Sequence, residues 1–220
     1  MLRKRKAARF PGAEGRIPNF VGAEDAARLL ATIPEWRTAA VLKSNPDSPQ
    51  LPVRATALSE GKTVFMAMPR LAAPRPFLLL DPSRLKIPPR RAASIKGSAQ
   101  ATVQVAVEDV PHLDLVVCGT VAVNRRGVRI GKGGGFSDLE FALLAESGAV
   151  DGHTVVATTV HPLQVLDEDL PETSHDFRVD VIVTPEEVIR CPRKRRPRGV
   201  LRSHLDPEVV AAVPVLSGRL

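Results

Sequence analysis

The chain has no tyrosine, a single tryptophan (Trp36) and an aromatic content of only 4%. Any flat platform for a ring-shaped ligand must therefore come from Trp36 or a phenylalanine. Cysteine is almost as scarce: Cys118 and Cys191 lie far apart and form no C-x-x-C, which excludes a disulfide framework. Cys118 sits in an apolar run and reads as a buried thiol. No apolar run approaches the ~20 residues that span a bilayer. The stretch MLRKRKAARFPG starts with charges but has no apolar region behind them, so no secretory signal is expected. A cytoplasmic protein without membrane attachment is the expectation.

Acidic residues are missing where basic ones crowd. Residues 1–16 hold six of the 31 Lys/Arg against one acid, residues 190–202 hold seven against none, and the other 18 face 23 acids. The net charge of +7 thus belongs to the two ends, and the body is mildly acidic. Those ends also lack aromatics, with Phe10 in the first and none in the second. Base stacking, worth ~1–3 kcal/mol per base in single-strand binders, is largely unavailable to them. They are expected to be solvated tails, with Arg193, Lys194, Arg195 and Arg196 offering at most weak, salt-sensitive nucleic-acid association.

What is present points to one α/β domain. Six short runs rich in β-branched residues read as strands: TAAVLKSN, KTVFMAMP, PFLLLD, LDLVVCGTVAV, TVVATTV and VDVIVTP. Helices are expected at AEDAARLLATI, at QLPVRATALSE (Ser48 capping, Pro49 first, Gly61 closing), at DLEFALLAES ending on Gly148, and at DPEVVAAV capped by Asp206. Helices alternating with continuously apolar strands imply a mostly parallel sheet covered on both faces. The organisation expected is a basic segment over 1–15, the α/β domain over 16–190, and a basic segment with a short helix over 191–220.

The stretch GVRIGKGGGFSDLE carries five of the fifteen glycines. Glycine allows positive φ and leaves room for a close approach. Ser137 and Glu140 fit a capping box, so the loop opens into a helix N-terminus, where free N–H groups and the helix dipole favour an anion such as phosphate. The spacing fits neither a Walker A loop nor G-x-G-x-x-G. A ligand-free tight turn is the alternative, but a position after a strand and before a helix favours a ligand. Asp138 beside this loop and Asp176 in LPETSHDFRVDVIVTP supply two carboxylates of the kind that hold magnesium together with substrate phosphates. Asp47, Ser48 and Gln50 in NPDSPQ repeat the strand-to-helix geometry and are candidate substrate contacts, as is His161 after TVVATTV. The plainer roles are a capping or turn residue for Asp176, a helix start for NPDSPQ, a satisfied strand end for His161 and core packing for Trp36. Arg16 and Asn19 line a cleft or fix a proline-containing turn.

RIGKGGGFSDLE followed by LPETSHDFRVDVIVTP resembles the 5-formyltetrahydrofolate cyclo-ligase family, whose loop reads roughly R-x-G-x-G-x-G-Y-Y-D-R and whose later signature is L-P-x-x-x-H-D. GRIPNFVGAEDAA, NPDSPQLPVR and VHPLQV extend the resemblance to its methenyltetrahydrofolate synthetase domain-containing branch. The resemblance implies a three-layer α/β/α sandwich similar to ribose-5-phosphate isomerase and the CoA transferases. It implies ATP- and magnesium-dependent cyclisation of 5-formyltetrahydrofolate to 5,10-methenyltetrahydrofolate. It further implies that Gly131, Gly133, Gly134 and Gly135 wrap the phosphates of ATP, with Arg129 on the same loop, and that Asp138 and Asp176 are the magnesium acids. Phe136 and Ser137 are further candidate ATP contacts. Lys132 joins Arg129 as a candidate catalytic cation, with a solvated loop lysine as its plainer role. On that assignment Asp138→Asn is expected to remove magnesium dependence while sparing the apo fold. Phe136, Ser137 and Leu139 depart from the family's Tyr, Tyr and Arg, and its N-terminal Lys-x-x-x-Arg helix is not recognisable. Lys4 or Lys6 in its place, or lost ATP chemistry in a folate- or RNA-binding protein, are the alternatives.

Overall fold

The computed structural model describes residues 1–101, 103–192 and 196–216. In chain order the first half contains α1 (Ala23–Leu30), α2 (Pro34–Thr38), β1 (Val41–Ser44), α3 (Leu51–Ser59), β2 (Thr63–Ala67), β3 (Phe77–Leu80), α4 (Pro89–Ala92), α5 (Ile95–Ala101) and β4 (Val103–Val105). The second half contains β5 (Leu115–Cys118), β6 (Ala122–Asn124), β7 (Arg129–Ile130), α6 (Phe136–Glu146), β8 (Val155–Thr159), β9 (Val165–Leu166), β10 (Val181–Val183), β11 (Val188–Arg190) and α7 (Pro207–Ala212).

Eight strands form the main sheet in the order β11-β10-β8-β5-β1-β2-β3-β4. The five from β10 to β2 are parallel, and antiparallel strands finish both edges. Alternation along each strand feeds two cores, since successive side chains point to opposite faces. Phe65 and Ala67 of β2, Val116 and Cys118 of β5, and Ile182 of β10 join one core with α6; their neighbours Val64, Met66, Leu115, Val117, Val181 and Val183 join the other with α1, α2 and α3. This is the three-layer α/β/α arrangement that the resemblance implied.

All six expected strands are present. LDLVVCGTVAV is divided, however: β5 stays in the main sheet, and β6 leaves it to pair with β7 and β9 in a small second sheet. Gly119 and Thr120 make the break. The helix expected from Pro49 also starts differently. Ser48–Gln50 is a 3-10 turn with Asp47 at its N-cap, and α3 begins at Leu51. Pro49 and Pro52 each lack an amide donor, and this shortens the regular helix from its front end.

Trp36 is buried, its Nε1 donating to Glu60 at 2.7 Å, as core packing requires. Asn19 fixes its turn, donating to Phe10 O and accepting from Phe20 N. The C-terminal stretch is not simply solvated. Arg196 is mostly buried in an ion pair with Asp180 and donates to Thr154 O at 2.7 Å, and Val213, Val215 and Leu216 are part of the α6-side core. Arg193, Lys194 and Arg195 lie outside the described residues.

Both cysteines are buried and free. Burial raises the Cys118 thiol above its ordinary pKa and takes Cys191 to about 11. At pH 8 neither is a thiolate, and only the thiolate attacks. A thiol reagent at pH 8 is therefore expected to label neither cysteine in the native protein and both in urea. Rapid native labelling would contradict this packing.

Candidate active site

The chain leaves β1 toward β2 on one side and returns to β5 on the other. This strand-order reversal places a crevice at the carboxyl ends of β1 and β5. Asp47 follows β1 and Gly119 follows β5. A Cβ at Gly119 would lie 2.6 Å from Asp47 Oδ2 and 3.0 Å from Ile17 Cγ1, so glycine lets the Asp47 carboxylate sit against the end of β5. Arg54 braces the β1 side, donating to the carbonyls of Asn45, Pro46 and Asp47. Burial lowers its pKa to about 9, with Asp47 partly offsetting the effect. Burial in turn raises the pKa of Asp47, against the opposing pull of Lys132, whose Nζ is 3.8 Å from Asp47 Oδ1.

Gln50 is fully buried beside β8, its Nε2 3.2 Å from Thr159 Oγ1 and its Oε1 without a protein partner. His161, after β8, is the N-cap of a 3-10 turn: its Nδ1 accepts from Leu163 N at 3.1 Å, and burial lowers its pKa. Asp47, Gln50 and His161 thus gather at the ends of β1 and β8, with Ser48 opening the turn between Asp47 and Gln50.

The glycine loop follows the β6–β7 hairpin. Gly127 turns that hairpin at φ 81°, where a Cβ would sit 2.2 Å from Val179 O. Gly131 is half-buried and Lys132–Gly135 are exposed, with Gly133 and Gly135 at φ 87° and 65°. Such angles strain any residue bearing a Cβ. The expected capping box does not form. Gly135 itself takes the N-cap, α6 begins at Phe136, and Ser137 lies inside the first turn with its Oγ buried and unpartnered. Glu140 turns inward instead and pairs with Lys43 of β1, where Asn45 Nδ2 also donates to it at 3.2 Å. A buried ammonium stabilises that carboxylate far more than a backbone amide at the surface would.

Asp138 accepts from Arg129 Nη2 at 2.6 Å and from Phe177 N at 3.3 Å. The Arg129 guanidinium lies 4.0 Å from the Phe177 ring centroid, and Phe177 stacks on Phe141. Burial opposes the Arg129 charge, but the negative groups around it, Asp138 foremost and Asp176 among them, raise its pKa overall. Its Nε is buried without a partner. Asp176 accepts from Thr173 N at 2.6 Å and precedes the residue that donates to Asp138. The loop, Arg129 and both acids are therefore brought together.

Beside them lies a cleft of about 270 Å³. Gly133, Gly134, Gly135 and Asp138 line it together with Val200, Leu201, His204 and Leu205. The 5-formyltetrahydrofolate cyclo-ligase family model matches residues 1–185. The chain belongs to this family.

Among curated relatives, the mouse protein named methenyltetrahydrofolate synthase domain-containing protein is 39% identical over 207 residues, covering 91% of this chain and 55% of the relative. Its zebrafish (Danio rerio) counterpart is 39% identical over 215 residues, covering 95% and 56%, and the human one 36% over 205 residues, covering 91% and 53%. The chain thus spans about half the length of the curated relatives it matches. The NMR structure of Aquifex aeolicus 5,10-methenyltetrahydrofolate synthetase shares the fold, with a TM-score of 0.52 at 20% identity, covering 83% of this chain and 88% of that one.

Sequence reasoning missed two parts of the site. The Lys43–Asn45–Glu140 cluster beneath the loop was hidden because Lys43 looks like the polar face of a strand. The facing wall from Val200 to Leu205 was hidden within a basic stretch. His204 carried the one available signal, a histidine amid cations; its Nδ1 is 2.8 Å from Nδ1 of His175.

Proposed function

We propose that this cyclo-ligase family member carries out the ATP- and magnesium-dependent cyclisation of 5-formyltetrahydrofolate to 5,10-methenyltetrahydrofolate. The observation that carries this reading is the buried Arg129, held by Asp138 at the root of an exposed glycine loop with its Nε unpartnered. The loop amides and the α6 N-terminus receive the phosphates. Arg129, kept charged by Asp138, neutralises charge that develops on the transferred phosphoryl group.

The formyl oxygen attacks the γ-phosphorus of ATP and ADP departs. N10 then bonds to the formyl carbon and gives up its proton to water, and the phosphorylated oxygen leaves as inorganic phosphate. Asp47, Ser48, Gln50 and His161 hold the folate at the β1 and β8 ends, Gln50 Oε1 accepting from it. Lys132, 3.8 Å from Asp47, lies between the two groups of residues.

Among the described residues no cluster of three or more His, Cys, Asp or Glu suits a metal. Two carboxylates fit magnesium that arrives with phosphate oxygens and water, which is its usual mode in nucleotide sites. Asp138 and Asp176 would hold it, and it would supply charge neutralisation to the phosphates.

The test is direct. Protein, 5-formyltetrahydrofolate, ATP and magnesium together are expected to produce the methenyl chromophore, and omission of ATP or magnesium to abolish it. ATP and folate binding without any product would establish a binding protein and refute the enzymatic reading.

A further inference from the structure

The cyclo-ligase family match ends at residue 185, yet one wall of the cleft comes from later residues. Arg196 anchors this segment through Asp180, and Val200 N donates to Glu146 Oε1 at 2.9 Å near the far end of α6. Val200 and Leu205 pack against the α6-side core, while Leu201 remains 38% exposed on the cleft. His204 contacts His175 through Nδ1, which leaves Nε2 as the ring atom available to a ligand. Asp206 is already occupied, capping α7 by accepting from Glu208 N at 2.8 Å.

The two sides of the cleft differ in chemistry. The loop side offers bare backbone and a helix N-terminus, suited to an anion. The 200–206 segment offers Leu201, Leu205, one imidazole and the Asp206 carboxylate, which is held at the α7 cap, and no Lys or Arg lines the cleft. A ligand that matches both has a polyanionic end and a flat, largely apolar end with polar edges. At about 270 Å³ the cleft lies just below the ~300–1,000 Å³ usual for small-molecule sites, so it encloses part of such a ligand.

We propose that the 200–205 segment is the nucleoside-binding wall of the ATP site, with Leu201 and Leu205 against the base and His204 Nε2 at its polar edge. This rests on the ATP reading above and adds a specificity surface from outside the matched region. Leu201 is exposed, so replacing it leaves the core intact, and burial of a leucine side chain under a ligand is a substantial part of small-ligand affinity.

Calorimetry with Mg-ATP and with magnesium tripolyphosphate, which has phosphates and no nucleoside, tests the wall. Leu201→Ser and His204→Ala are each expected to weaken ATP binding about tenfold (~1.4 kcal/mol) while tripolyphosphate affinity stays within about twofold. If both ligands weaken equally, if neither changes, or if wild type binds them with equal affinity, the wall assignment is wrong. If wild type binds neither, the ATP reading fails, and the wall with it.

Discussion

Glu140→Gln is expected to lower the unfolding free energy by about 3–5 kcal/mol, a large part of the ~5–15 kcal/mol that holds a domain together. Lys43 and Glu140 are 2% and 5% exposed, beneath the central strand of the sheet. With a neutral amide in place of the carboxylate, the ammonium keeps acceptors in the new amide oxygen and in Asn45 Oδ1, 3.3 Å away, but has no counter-charge in a site closed to water. Replacing both partners removes the uncompensated charge, so Lys43→Met with Glu140→Leu is expected to recover most of the loss. Urea unfolding of wild type and of the two variants measures this. A single-variant cost below about 1 kcal/mol would show that the pair is not buried as described.

Asp138→Asn is expected to have two effects at once. Cyclisation should fall by at least about a hundredfold, the usual cost of losing one electrostatic contact to the reacting group. The apo protein should also lose about 3 kcal/mol, because Arg129 is left buried without its counter-charge. This revises the expectation from sequence that the fold would be spared, since the sequence does not reveal that Asp138 already holds Arg129. Asp138→Glu keeps the charge and separates the effects: stability should largely return while turnover stays low. Full turnover in Asp138→Asn would remove Asp138 from the magnesium and phosphate site.

The main sheet was legible because its signals are local. β1, β2, β3, β5, β8 and β10 are apolar runs whose alternation is set by the strand itself, and α7 begins at Asp206 as its cap predicts. The loop and its two acids were also legible, since glycine spacing and charge survive without coordinates. β7 and β9, two residues each, are too short for any periodicity to register. The Glu140 error has a different cause. Spacing alone offers it both the helix N-terminus and the interior, and the choice depends on Lys43, 97 residues away. The facing wall escaped for a similar reason: Val200, Leu201 and Leu205 acquire a role only once Arg196 is drawn in by Asp180.

The core beside α6 includes both Phe65 and Leu216. During synthesis the α6 face of the sheet therefore waits for its last apolar contributors until the region around Leu216 has cleared the ribosome. At ~5–20 residues per second the interval between making Phe65 and Leu216 is roughly eight to thirty seconds. Over that interval the α6 face of the sheet is without part of its apolar cover.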